Sequence, residues 1–342
     1  MTPPELAGAT LAERTTLRLG GPARRLVVAG TEPELVDAVR SADAAGEPLL
    51  VLGGGSNVVV GDAGFDGLVV QVATRGVQRT RGELTVAAGE DWDTLVAGAV
   101  QDGLAGIEAL SGVPGLVGAT PIQNVGAYGQ DVAQTVTAVR VLDRATGRVA
   151  TLAPAECGFS YRHSRFKGND RYVVLGVTFA LEPSVTSRPV RYAELAGHLG
   201  LAVGRSAPLG EVRAAVLDLR RRKGMVLDAD DHDTWSAGSF FTNPVLPADD
   251  VARLLPADAP RWPEQDGRVK VSAAWLIERS GFGKGYGEGS VRISSKHTLA
   301  LTNRGHARTA DLLALAQEIR AGVRSRYAVE LAVEPVLVGC TL

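Results

Sequence analysis

Bare backbone is concentrated in three places: residues 53–67, 103–129 and 281–289 hold 18 of the 41 glycines in this 342-residue chain. Glycine so gathered means tight turns or close approach of the main chain to a ligand. In GGGSN, amide N–H groups of Gly53, Gly54 and Gly55 can form an anion-binding nest, with the Ser56 hydroxyl and Asn57 amide aimed at the same oxygens. A plain turn between two strands is the competing reading. No G-x-G-x-x-G occurs, so a dinucleotide held by a Rossmann helix is not implied. The second loop, SGVPGLVGATPIQNVGAYGQ, is more specific. Pro114 and Pro121 stiffen it, while Gly112, Gly115, Gly118 and Gly126 keep it thin. Gln123 and Asn124 can hydrogen-bond the edge of a heterocycle, and Asn124 or Tyr128 can face phosphate or ribose. That composition suits a binding loop.

The remaining chemistry is sparse. Five histidines (His163, His198, His232, His297, His306) lack metal-ligand spacing, as do the two cysteines, Cys157 and Cys340. Reduced thiols and a cytoplasmic location are expected. A net charge of −2 argues against a dedicated nucleic-acid binder. The N-terminal stretch MTPPELAGATLAERTT lacks a basic-then-apolar leader, and no run of 18 apolar residues is present, so no membrane insertion is expected. Lysine is rare: Lys167, Lys223, Lys270, Lys284 and Lys296 stand among 31 arginines. Biased codon usage accounts for that ratio, although a surviving lysine also suits a site that needs a compact ammonium.

The elements that must position these groups are legible in outline. A strand at Arg24–Ala29 leads to a helix opened by Thr31, with Glu34 at capping-box spacing and Gly46 as its stop. A strand at Leu49–Leu52 completes a βαβ unit. Strands at Leu68–Val72 and Leu84–Ala88 follow, then a helix from Asp91 to about Gln101. Val136–Asp143 and Arg148–Leu152 form a hairpin across RATG, and Tyr172–Leu181 is a β-branched strand. Helices are expected at Leu209–Arg222, near Ser272–Arg279 and from Thr309, where Leu312, Leu315, Ile319 and Val323 share a face. A strand over Ala328–Val338 closes the chain. The class is α+β rather than a regular alternation.

Taken in order, GGGSN, SGVPGLVGATPIQNVGAYG, YRHSRFK at 161–167 and GSFFTNP at 238–244 resemble the bacterial UDP-N-acetylenolpyruvoylglucosamine reductases (UDP-N-acetylmuramate dehydrogenases), in their longer form. Four linked motifs in register across nearly the whole chain carry the resemblance. It implies the two-subdomain flavin fold of para-cresol methylhydroxylase and vanillyl-alcohol oxidase plus a C-terminal α+β substrate domain. The implied boundaries are 1–69 and 70–222 with 328–342 for the two flavin subdomains, and 223–327 for the UDP-sugar domain. It further implies non-covalent FAD, NADPH as co-substrate and UDP-N-acetylglucosamine enolpyruvate as substrate. In the implied reaction NADPH reduces FAD, flavin N5 gives hydride to C3 of the enolpyruvyl group, and a proton goes to C2.

The resemblance also assigns residues. Arg162 of the YR pair would hold the substrate carboxylate, where charge develops. Ser239 of GSFF would donate the proton, since a weak acid suffices for a carbanion-like base if held close. Glu334 would orient Arg162 or a water, with Glu330 four residues earlier the alternative that strand alternation cannot separate. Gly53, Gly54, Gly55, Ser56, Asn57, Gly112, Pro114, Gly115, Gly118, Gln123, Asn124, Gly126, Ala127 and Tyr128 would bind the cofactor. Tyr192, Lys223, Asn243 and Lys270 would bind the substrate, with a solvated helix face as the plainer reading of 220–223. Two departures stand out. The family's lysine-leucine-proline segment is replaced by the longer, acidic GMVLDADDHDTWSA, and Thr242 stands where lysine is frequent. A monomer is expected. The alternatives are an oxidase or dehydrogenase of the same fold, or a non-enzymatic nucleotide-sugar binder that would leave Ser239 and Glu334 without purpose.

Overall fold

The computed structural model describes residues 5–80, 83–264 and 266–342, so the first four residues of the N-terminal stretch lie outside it. The chain forms two compact units. One comprises the described residues within 1–9, 23–54 and 66–226, and the other those within 10–22, 55–65 and 227–342. Strands and helices alternate with long loops throughout, giving the mixed architecture expected.

In the first unit, Ala23–Ala29 leads into the helix Glu32–Ala45, which starts on a complete capping box: Thr31 accepts from the Glu34 amide while the Glu34 carboxylate accepts from Thr31 N–H. Gly46 ends it in the left-handed conformation. The next strand, Leu49–Leu52, does not pair with Ala23–Ala29. Phe65–Val72 inserts between them, parallel to Leu49–Leu52, so the βαβ unit is completed by a strand that arrives later. A second sheet is wholly antiparallel, in the order Arg148–Leu152, Val136–Asp143, Tyr172–Ala180, Glu83–Ala87, Val77–Thr80. Its core is built around Trp92 and Phe179, whose ring centroids are 5.7 Å apart. The Trp92 indole N–H donates to Leu110 O at 3.1 Å, so the buried ring leaves no unmet donor.

The Leu209–Arg222 helix packs on this unit through Leu209, Val212, Val216 and Leu219. Arg213 reaches back with a bidentate pair to Asp93, at 2.6 and 2.9 Å, and the same carboxylate accepts from Gly112 N–H at 2.6 Å. Burial pushes the Asp93 carboxyl up, but Arg213 and the Gly112 amide pull harder and hold it below the usual range.

The second unit surrounds the Thr309–Tyr327 helix, with Leu312, Leu315, Ile319 and Val323 buried as the spacing predicts. Phe240, Phe241, Leu276 and Ile277 belong to the same core. Gly322 lets the ring of Phe282 lie directly on that helix, since a β-carbon there would meet the ring. Phe282 thereby anchors the glycine loop 281–289, where Gly281, Gly283, Gly285 and Gly289 face open space and Gly281, Gly285, Gly287 and Gly289 have positive φ. These glycines serve the course of the turn.

The closing strand is shorter than expected. Only Val336–Val338 is regular, pairing in parallel with Val58–Val60. Ala328 leaves the preceding helix with φ 54°, and the three-residue partner limits the ladder, so 328–335 runs as irregular backbone with one bridge, Phe241 to Val333.

Because the folded Asp93 pKa lies below its unfolded value, this pair stabilises the fold above the unfolded value of about 3.9, and the contribution is lost as pH falls through the folded pKa. The stability difference between the wild type and Asp93→Asn, read from urea midpoints, is expected to be flat from about pH 5 to 8 and to shrink below about pH 4. A difference that grows on acidification would contradict the assignment.

Candidate active site

Two glycine motifs meet inside the first unit. A β-carbon on Gly54 would stand 3.0 Å from Gly115 Cα, and one on Gly53 would lie 3.8 Å from a Leu116 methyl. Gly118 abuts the end of a strand, where its β-carbon would come within 2.9 Å of Ala88 Cα. Several glycines assigned to a cofactor are therefore bare first because main chain packs on main chain. GGGSN itself is divided: Gly53 and Gly54 belong to the first unit, Gly55, Ser56 and Asn57 to the second.

The 111–130 loop ends in strained backbone. Asn124 and Tyr128 adopt φ of 47° and 49°, and such strain persists only where the surroundings enforce it. The Asn124 side chain does the enforcing, donating to Ser160 O at 3.2 Å and accepting from Ala133 N–H at 3.1 Å. Ser160 belongs to the turn that carries Arg162. Arg162 has φ 51°, donates to Gly126 O at 2.7 Å and has its own carbonyl bound by Lys167 Nζ at 3.2 Å. The 111–130 loop and the YRHSRFK segment are thus one hydrogen-bonded assembly.

Tyr128, Tyr192 and Lys223 also come together. The tyrosine rings are edge-on at 5.5 Å, and Lys223 Nζ lies 5.8 Å from the Tyr128 ring while pairing with Glu194 at 2.6 Å. Burial pushes the Tyr128 phenol up to about 12, so it keeps its proton at neutral pH.

Arg220, one turn before Lys223, was not singled out by the sequence. Its Nε is buried with no hydrogen-bond partner among the described residues, although another guanidinium N–H donates to Met225 O at 2.7 Å. Burial lowers its pKa, opposed by Tyr128 and Asp93. A buried unsatisfied donor on a cation is costly unless something accepts from it. The signal was available: Arg220 lies four residues after the buried Val216, on the inner face of its helix.

Ser239, Asn243, Lys270 and Glu334 are in the second unit. Gly238, at φ 71°, turns the chain into Ser239, whose half-buried hydroxyl makes no hydrogen bond among the described residues. The following residue ties this segment to Glu334: Glu334 N–H donates to Phe240 O at 2.9 Å. Because 328–335 is not a regular strand, alternation does not place Glu330 and Glu334 alike. Glu330 instead pairs with Arg320. Asn243 Oδ1 accepts from Ala273 N–H at 2.9 Å, and Lys270 pairs with Glu264 at 2.6 Å. Both cysteines are free thiols. Among the described residues no His, Cys, Asp and Glu group could hold a metal ion, and no helix is long and apolar enough to cross a membrane.

Comparison with known proteins gives the class first. Residues 23–153 match the FAD-binding domain family, and together with the relatives described next this gives the class as an FAD-dependent oxidoreductase. Residues 230–338 match the C-terminal domain of UDP-N-acetylenolpyruvoylglucosamine reductase. The enzyme of that name from Thermobifida fusca is 59% identical, covering 97% of both chains, and that of Streptomyces avermitilis is 56% identical over 99% of this chain and 96% of its own. The crystal structure of the Thermus caldophilus reductase is similar with a TM-score of 0.69 at 26% identity, covering 99% of each chain. The chain belongs to the UDP-N-acetylenolpyruvoylglucosamine reductase family.

Gly118→Ala is expected to lower the urea midpoint by about 1–3 kcal/mol in stability, the cost of forcing an overpacked contact. Gly98→Ala, in the helix Trp92–Gln101 with nothing within 4 Å, is expected to raise it by roughly 0.5–1 kcal/mol. Equal effects of the two would refute the packing account.

Proposed function

We propose that the chain reduces UDP-N-acetylglucosamine enolpyruvate to UDP-N-acetylmuramate in peptidoglycan precursor synthesis, as an NADPH-dependent FAD enzyme. The observation that carries this reading is 59% identity over nearly the full length of a reductase of that name. Two free thiols suit a reducing compartment, and we assign the enzyme to the cytoplasm as a monomer.

The residues present fit a flavin. The buried Arg220 Nε, without a hydrogen-bond partner among the described residues, offers a charged donor to an electron-rich edge, and the neighbouring loop is thin. Gly53, Gly54, Gly55, Ser56 and Asn57 would hold the pyrophosphate, and Gly112, Pro114, Gly115, Gly118 and the 123–128 segment would line the rest. When bound, FAD supplies the hydride chemistry between NADPH and C3 of the alkene.

The protein's own groups do the remainder. Arg162 offers a planar fork to the substrate carboxylate, whose charge grows as hydride adds, so its hold tightens toward the transition state. Its carbonyl and one guanidinium nitrogen are already tied to Lys167 and Gly126, which fixes the fork beforehand. Ser239 gives its proton to C2, and Glu334, whose N–H is bonded to Phe240 O, assists that delivery. Tyr192 and Lys223 meet the diphosphate, Glu194 yielding Lys223 to it, while Asn243 and Lys270 complete the substrate contacts within residues 223–327.

Purified protein is expected to be yellow, to bleach with NADPH and to recolour on adding the enolpyruvyl substrate. Protein that takes up no flavin would sink the reading. Ser239→Ala is expected to leave bleaching by NADPH near normal while product formation falls by about 10³-fold or more. Arg162→Lys is expected to be almost as poor, because a point charge cannot replace the fork. Arg220→Met is expected to leave the flavin-free fold as stable as the wild type but to weaken flavin uptake by about 10-fold in a fluorescence titration.

A further inference from the structure

The acidic segment that replaces the family's lysine-leucine-proline run has no role in the scheme above, yet it leads directly into Ser239. It is built as a clamp. Asp233, 6% exposed, accepts from Ser295 N–H at 3.1 Å, from the Ser295 hydroxyl, and from Arg304 at 3.0 Å. Asp231 closes the turn by accepting from Asp233 N–H at 3.0 Å and pairs with Lys296. The Thr234 hydroxyl donates to the carbonyls of Asp228 and Asp231, both at 2.8 Å, and accepts from Asp228 N–H.

From that knot the chain is fastened at almost every step to Ser239. Asn303 N–H donates to Trp235 O at 3.0 Å, and Arg18 lies 3.8 Å over the Trp235 ring. Thr16 Oγ1 donates to Ser236 O at 2.7 Å, and Gly238 N–H donates to the Ser236 hydroxyl at 3.2 Å. Beyond Ser239, Phe240 N–H donates to Leu299 O at 2.7 Å. Ser239 itself hangs between these fastenings without a side-chain partner among the described residues. Its place is therefore set by the clamp and not by its own bonds.

We infer that Asp233 is a positioning residue for the proton-transfer step, fixing the Ser239 hydroxyl by locking 234–238 onto the hairpin of Val291–Ile293 and Leu301–Asn303 and its connecting loop. The inference rests on the reading of Ser239 as proton donor. A hydroxyl that must reach one carbon loses rate steeply on small displacement, whereas hydride arrival from NADPH does not involve it. Burial pushes the Asp233 carboxyl up, but the Ser295 hydroxyl and amide with Arg304 pull it below the usual range, so it is ionised throughout the working pH.

The test is a double-mutant cycle on Asp233→Asn and Ser239→Ala in the flavin-loaded enzyme. Substrate-driven reoxidation is followed by stopped flow after reduction with NADPH. Asp233→Asn is expected to slow reoxidation by about 10–100-fold and to leave reduction by NADPH within about 2-fold of the wild type. In the Ser239→Ala background it is expected to add no further loss, because both changes remove one function. Independently of turnover, hydrogen exchange of the 234–241 amides is expected to accelerate about 10-fold with the 309–327 helix unchanged. Should Asp233→Asn fail to fold, Ser295→Ala, which removes one bond of the clamp, is expected to show the same pattern in smaller measure. Wild-type reoxidation in Asp233→Asn, or a full additional loss in the double variant, would overturn the proposal. Wild-type reoxidation in Ser239→Ala alone would overturn instead the reading of Ser239 on which it rests.

Discussion

Gly54 lies so near Gly115 that a β-carbon on it would stand 3.0 Å from the neighbouring Cα, and the whole 111–130 loop takes its course from that approach. Gly118 repeats the arrangement against Ala88. With the loop seated on main chain at two points, its far end can carry strain at Asn124 and Tyr128, and the Asn124 side chain passes that geometry to the turn bearing Arg162. The turn bearing Arg162 is thereby placed by a chain of backbone contacts that begins at Gly54. Such contacts admit little slack, because two peptide planes in van der Waals contact have no rotamers to adjust.

The helix Leu209–Arg222 shows how differently one residue type can be used. Arg213 spends its charge on Asp93, largely out of water and in fork geometry, which is the form of ion pair that holds structure. Arg222 pairs with Asp218 one turn away at the surface, where solvent screening leaves little net energy. Arg220 has a buried Nε with no hydrogen-bond partner among the described residues, while the Asp93 charge acts on it from a distance. The first two arginines belong to the fold. The third keeps a buried donor in reserve.

What the sequence revealed follows from how local the causes are. The Glu32–Ala45 helix was readable to its last residue because its box, its apolar face and its glycine stop all lie within the segment. The closing strand is shorter than its residues suggest, since burial alternates over 328–332 but a regular ladder forms only at Val336–Val338, against Val58–Val60. The motifs point to the 111–130 loop and to the YRHSRFK segment, which the structure ties together by hydrogen bonds. What they could not reveal is why Gly118 is bare, because Ala88 is thirty residues away. Arg220 was hidden inside a basic run, where composition suggests solvent and only helical phase points inward.

Phe282 and Gly322 make one joint out of two distant positions. The ring fills the space that a side chain at 322 would need, so neither site is free to drift alone. A lineage that enlarged residue 322 would have to shrink residue 282 in compensation, and with it surrender the tether of the glycine loop. Homologous sequences are thus expected to record these two positions as a covarying pair, separated by forty residues of chain and joined by one aromatic ring.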